Sequence, residues 1–180
     1  MKYVILDRDG VINEDSDAYI KSVAEWKPIL GSLEAIARLC QGGWRVLVAS
    51  NQSAIGRGLM DYDALFAIHD RLQRALAELG GRIDAIAFAP EAPEQASAMR
   101  KPAPGMLLDF AKRLSLNLET VPVVGDSFRD IEAARAAKAR PILVSTGNGK
   151  RTQQERAKDL AGVAVFDDLA AVAADLLSVS

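Results

Sequence analysis

The chain has 180 residues, 49% of them hydrophobic and 26% charged, with a formal net charge of −2. That composition is globular, and an acidic balance disfavours a general nucleic-acid binder. One cysteine, Cys40, and one histidine, His69, exclude an intrachain disulfide, a Cys₄ or Cys₂His₂ zinc site and an H-E-x-x-H motif, so any metal site should be built from oxygen.

A chain of this mass is expected to fold to roughly 8,500 Å² of surface, which suits one core. We therefore expect a single domain over residues 1–180. The N-terminal apolar run stops at Asp7, too short for a signal peptide, and no run reaches membrane-spanning length. A cytoplasmic monomer without a membrane partner is expected.

Tyr3–Leu6 reads as a strand that ends at a charge. Leu33, Ile36, Ala37 and Cys40 form a helical stripe, with Ser32 as its expected N-cap and Gly42-Gly43 as its stop. Val46–Ala49 is the next strand. Leu65, Ile68, Leu72, Leu76 and Leu79 make the clearest stripe, closed by Gly80-Gly81. Ile83–Phe88 follows as a strand. Leu107, Phe110, Ala111 and Leu114 line another helix. Val121–Val124 is a strand and Phe128–Ala137 reads helical. Ile142–Val144 and Val163–Phe166 look like further strands, and Leu169, Val172, Ala173 and Leu176 form the last stripe. Gly10–Lys27 and Ala89–Pro104 carry little periodicity, as functional loops often do. The alternation predicts an α/β fold: a Rossmann-like, doubly wound, mostly parallel sheet with helices on both faces.

In such sheets ligands bind beyond the carboxyl ends of the strands. Asp7, Arg8, Asp9 and Gly10 follow the first strand. Ser50, Asn51 and Gln52 follow the second. The Pro-rich loop after the third leads to Arg100, Lys101 and Pro102. Gly125, Asp126, Ser127 and then Asp130 follow the fourth. Alone, Asp126 could be a helix N-cap, Ser50 a backbone cap and Arg100-Lys101 solvated surface. Together at one sheet edge, the acids can hold Mg²⁺, while the cations and the Ser50 hydroxyl can hold a phosphoryl group. Gly147-Asn148-Gly149-Lys150 lacks phosphate-loop spacing and reads as a flexible turn. His69, mid-helix beside Ile68, reads as structural, and Cys40 as core packing.

Asp7-Arg-Asp9-Gly10-Val11-Ile12-Asn13, Ser50-Asn51-Gln52-Ser53, Arg100-Lys101-Pro102-x-Pro104-Gly105-Met106 and Gly125-Asp126-Ser127-x-x-Asp130-Ile131 resemble, in order, the four motifs of the haloacid dehalogenase (HAD) superfamily. Their spelling is similar to the small capless branch of heptose 1,7-bisphosphate 7-phosphatases and histidinol-phosphatase domains. The resemblance implies a Mg²⁺-dependent phosphatase that removes the 7-phosphate of a heptose bisphosphate, in the making of lipopolysaccharide precursors. Histidinol-phosphate phosphatase, a DNA 3′-phosphatase and a phospho-accepting receiver-like module stay open as alternatives.

The resemblance also implies roles. Asp7 would be the nucleophile and Asp9 the general acid and base. The Asp7 carboxylate, the Asp9 carbonyl and the Asp126 carboxylate would hold Mg²⁺, with Asp130 behind them. Ser50, Lys101, Arg100 and the backbone around Asn51 would hold the phosphoryl oxygens. Asp15, Ser16, Asp17, Ala18 and Tyr19, with Ser50, Asn51, Gln52 and Ser53, would touch a phosphorylated sugar. Many relatives carry a zinc loop before the Arg-Lys-Pro motif. Here its ligand positions read Ala89, Glu91, Ser97 and Met99, so no zinc is expected and Pro90 and Pro93 should help to shape the loop. Ala54 stands where relatives often have Gly, and Ser127 where many have Lys.

Overall fold

The computed structural model describes residues 1–178. Six strands form one sheet: β1 (Lys2–Leu6), β2 (Trp44–Asn51), β3 (Ala85–Ala89), β4 (Pro122–Gly125), β5 (Arg140–Val144) and β6 (Ala164–Phe166). Every pairing is parallel and the order is β3-β2-β1-β4-β5-β6. The expected doubly wound sheet is present, parallel throughout its described strands. No described helix is long and apolar enough to cross a membrane.

Helices α1 (Ser32–Gln41), α3 (Tyr62–Glu78) and α7 (Leu169–Ser178) cover one face of the sheet. Helices α4 (Gly105–Leu114) and α5 (Phe128–Ala136) cover the other. Strand alternation feeds both layers: Val4 and Leu6 of β1 pack with α1, while Ile5 packs with Met106 and Phe110 of α4. Ile36, Leu65, Leu72 and Leu76 are fully buried. Each such side chain contributes about 1.5–3 kcal/mol of transfer free energy.

Local chemistry moved several boundaries. Ser32 is not the cap of α1. Gly31, with φ of 80°, is the N-cap, and no side chain caps that end. The Ser32 hydroxyl instead donates to the Ile12 carbonyl at 2.6 Å, pinning the helix to the first loop. β3 starts at Ala85 rather than Ile83, because the Gln73 amide takes both main-chain groups of Ile83. The turn expected at Gly147–Lys150 leads straight into a helix, α6 (Gly149–Glu155). Only Gly149 and Thr152 of α6 are buried, so it has no apolar stripe to read. The short α2 (Ser53–Gly56) has only Ala54 buried.

Strand order reverses at β1, which lies between β2 and β4. The ends of β1 and β4 therefore flank the crevice where open α/β sheets bind ligands. Leu6 pairs with Val124, and the Asp7 N–H donates to the Val124 carbonyl at 2.9 Å. That register brings Asp7 beside the Gly125-Asp126 turn.

Candidate active site

A cavity of about 300 Å³ opens over this crevice. Asp7, Asp9, Asp126 and Asp130 line its floor, together with Arg100 and Lys101. Asp15, Ser16, Asp17 and Tyr19 form one wall, and Asn51, Gln52 and Ser53 another. Two expected contacts do not line it. Ala18 is exposed on the outer side of its loop. Ser50 is buried, and its Oγ accepts from the Gln52 amide at 2.8 Å.

Lys101 organises the floor. Its ammonium donates to Asp130 Oδ1 at 2.6 Å and to the Ala49 carbonyl at 2.8 Å, and it lies 3.0 Å from Asp7 Oδ2. All three donors are used. Burial works against its charge, but the Asp130 and Asp7 carboxylates outweigh burial and raise its pKa. The Asn51 amide fixes the main chain here, donating to the Lys101 carbonyl and accepting its N–H. Arg100 donates to the Glu91 carbonyl at 2.8 Å. That contact, with the Gly56 N–H donating to the Pro90 carbonyl, ties down the loop that carries Pro90 and Pro93.

Asp7, Asp126 and Asp130 each bring one carboxylate oxygen within 4.8 Å of the others. Burial raises Asp7 well above the usual carboxylate range; Lys101 opposes the rise while Asp130, Asp126 and Asp9 add to it. Asp126 is pushed up to about 7, by burial first and then by Asp130. Burial also acts on Asp130, but Lys101 and the Ser127 hydrogen bonds hold its carboxyl low. Ser127 and Asp130 form the capping box of α5, so Ser127 rather than Asp126 is the N-cap. Asp130 has Lys101 on one oxygen and Ser127 on the other. Asp7 and Asp126 are thus the under-neutralised pair. An oxygen-only set with surplus negative charge fits a hard divalent cation. The Asp9 carbonyl accepts no hydrogen bond from the described residues, which leaves it available as a further oxygen donor. Gly10 has φ of +82°, and a methyl group there would overlap the Asp126 carboxylate.

The Asp9 side chain turns away from this cluster. It accepts from Arg8 Nε at 2.9 Å, Asn13 at 2.8 Å and Gln52 at 3.0 Å. Burial alone would raise its pKa, but Arg8 and these hydrogen bonds lower it. Arg8 is itself fully buried, between Asp9, Gln52 and His69. His69 lies 3.4 Å from Arg8 Nη1 and does not line the cavity. Its pKa falls to about 4, through burial and then the Arg8 charge. A histidine lowered on folding stabilises the protein fully above its ordinary value near 6.5. That contribution is lost as pH falls towards 4. We expect chemical denaturation of His69→Gln to show a flatter decline in stability across this window than the wild type.

Arg129, Asn148 and Arg151 line the cavity and lie outside the motif reading, as does Arg8, buried beside Asp9. Arg8 occupies the unspecified position between the two motif aspartates. Arg129 is likewise a variable position of the Gly125–Ile131 motif. Asn148 and Arg151 follow β5, so extending the strand-end rule to that strand would have reached them.

A HAD-hydrolase-like family model matches residues 98–172. The D-glycero-beta-D-manno-heptose-1,7-bisphosphate 7-phosphatase of Bordetella bronchiseptica is 52% identical over 177 residues, covering 98% of both chains. The Pseudomonas putida enzyme of that name is 50% identical, covering 98% of this chain and all of its own. The chain belongs to this HAD-like heptose-bisphosphate phosphatase family. The B. bronchiseptica phosphatase has been solved with magnesium and phosphate; it superposes with a TM-score of 0.95 at 50% identity, covering 100% of both chains. The Burkholderia thailandensis phosphatase superposes at 0.75, with 45% identity and 99% of both chains covered. The four motifs therefore lie in the fold their order implied.

Proposed function

We propose that the chain is a Mg²⁺-dependent phosphatase that removes the 7-phosphate of D-glycero-beta-D-manno-heptose 1,7-bisphosphate through an aspartyl-phosphate on Asp7. One observation carries the reading. The Asp7 carboxylate stands at the strand-order reversal with the Lys101 ammonium at 3.0 Å and Asp126 beside it, in a chain that matches heptose-bisphosphate phosphatases over nearly its full length. Mg²⁺ held by the Asp7 and Asp126 carboxylates and the Asp9 carbonyl would supply charge neutralisation between Asp7 and a phosphate dianion.

An Asp7 oxygen attacks phosphorus and the bond from phosphorus to the sugar oxygen breaks. Asp9 gives its proton to the leaving alkoxide, then takes one from the water that cleaves the acyl phosphate. Arg100 holds the phosphoryl oxygens, Lys101 places its positive charge beside them at Asp7, and Asp130 keeps Lys101 charged and aimed. Burial raises Asp7, while Arg8 and its hydrogen bonds lower Asp9 against burial, so the two aspartates are separated in the opposite sense from the one this chemistry needs. A phosphate dianion beside Asp9 would raise its proton affinity, and a cation held by Asp7 and Asp126 would lower that of Asp7, so that binding would set the working states. The Asp15–Tyr19 and Asn51–Ser53 walls are the surfaces placed to meet the sugar. We further infer a single cytoplasmic domain acting as a monomer.

The deciding measurement compares kcat/KM for the heptose bisphosphate and for histidinol phosphate side by side. We expect the heptose bisphosphate to lead by at least about 100-fold, a margin of roughly 3 kcal/mol. Comparable turnover of histidinol phosphate would overturn the substrate assignment and leave the phosphatase chemistry standing.

A further inference from the structure

The Gly147-Asn148-Gly149 segment has no part in the steps above, yet it encloses one of the carboxylates they use. The Asn148 main-chain N–H donates to Asp126 Oδ2 at 2.7 Å, and its side-chain Nδ2 reaches the same oxygen at 3.2 Å. Nδ2 also donates to Asp15 Oδ2 at 2.7 Å, across to the first loop. The Asn148 side-chain oxygen, Oδ1, accepts from Arg151 Nη2 at 2.6 Å. This network fixes the amide orientation, since a flipped amide would set its oxygen against two carboxylates.

The rest of the segment holds Asn148 in place. Thr146 Oγ1 donates to the Gly10 carbonyl at 2.6 Å, and Thr152 Oγ1 to the Asp126 carbonyl at 3.0 Å. Gly147 has φ of +55°, and a methyl group on it would overlap the Asp126 carboxylate. Both Asn148 contacts fall on Oδ2, so Asp126 Oδ1 accepts no hydrogen bond from the described residues.

We propose that Asn148 is a positioning residue that couples the Asp15 loop to the Asp126 carboxylate, so that the cation site and the sugar-facing loop are set as one unit. The inference rests on the reading that Asp126 holds the cation. Its physical basis is preorganisation: one amide fixes a ligand carboxylate from behind and is itself anchored by the loop that would meet the substrate.

Mg²⁺ titration by calorimetry, without any sugar, tests it, with thermal melting of each variant as the check on folding. We expect Asn148→Ala to weaken Mg²⁺ binding about tenfold, the usual scale for losing a group that orients a ligand. Asp15→Ala should weaken it about threefold, within the range of couplings in one hydrogen-bond network. Asp15→Asn, which keeps an acceptor for Nδ2 and removes the charge, should stay near wild type. In the Asn148→Ala background, Asp15→Ala should add nothing. Equal losses in Asp15→Ala and Asp15→Asn would mean a plain charge effect and overturn the coupling. Unchanged Mg²⁺ affinity in a folded Asn148→Ala would do the same. If Asn148→Ala does not fold, the two Asp15 variants decide alone. A wild-type chain that binds no Mg²⁺ would overturn both this coupling and the metal-dependent reading.

Discussion

Asp7→Asn should abolish turnover, with kcat at least about 10⁴-fold below wild type, while the protein melts at the same temperature or slightly higher. The loss follows from chemistry, because an amide of the same shape cannot form an acyl phosphate. The retained stability follows from the local charge. Asp7, Asp126 and Asp130 crowd one ammonium group, and Asp7 is raised by burial and by its acidic neighbours. Asn removes one of these repulsions and leaves a carbonyl oxygen for Lys101. Steady-state hydrolysis and a melting curve on the same preparation are sufficient. Near-normal hydrolysis would overturn the aspartyl-phosphate mechanism, whatever the substrate.

Lys101→Met should damage both stability and activity. The Lys101 side chain is 5% exposed and its ammonium neutralises Asp130 at 2.6 Å and Asp7 at 3.0 Å. Taking one partner from a buried ion pair leaves an uncompensated charge and costs about 3–5 kcal/mol. For a chain of this size that lowers Tm by roughly 10 °C. The positive charge beside Asp7 and the phosphoryl group is lost as well, so kcat/KM should fall about 10³-fold. Asp130 adds a pH signature. Its carboxyl is held low in the folded protein, so its stabilisation is present above its unfolded value and lost as pH falls through the folded one. Without Lys101 burial is no longer offset at Asp130, so that acid-side loss should shrink or reverse. Denaturant titrations at several pH values would show it. A variant as stable as wild type would mean that the Lys101–Asp130 pair contributes little.

The four motif segments were legible because each obeys a local rule. A strand of apolar residues ends at a charge, and in a parallel sheet that end is where polar side chains can stand free of the core. The leucine spacing of α3 and the glycine stops likewise needed only the helical repeat. The same local logic failed at Ser32, whose hydroxyl found a distant carbonyl instead of capping its own helix. It failed at Gly147–Glu155, where a helix without an apolar stripe is held by Asp126, and Thr146 just before it by Gly10, from other parts of the chain.

The amino-acid sequence by itself determined the strand–helix alternation, the oxygen character of any metal site and the membership of Asp7, Asp9, Lys101 and Asp126 in one strand-end cluster. These follow from residue type and spacing along the chain. Only the tertiary structure decided how the charges are shared. It paired Asp9 with Arg8, gave Lys101 to Asp130 as well as Asp7, set Ser50 behind the Gln52 amide and brought Asn148 across to Asp15 and Asp126. Those pairings depend on which loops the crossovers bring together at the sheet edge and on which groups burial strips of water. Spacing along the chain encodes neither.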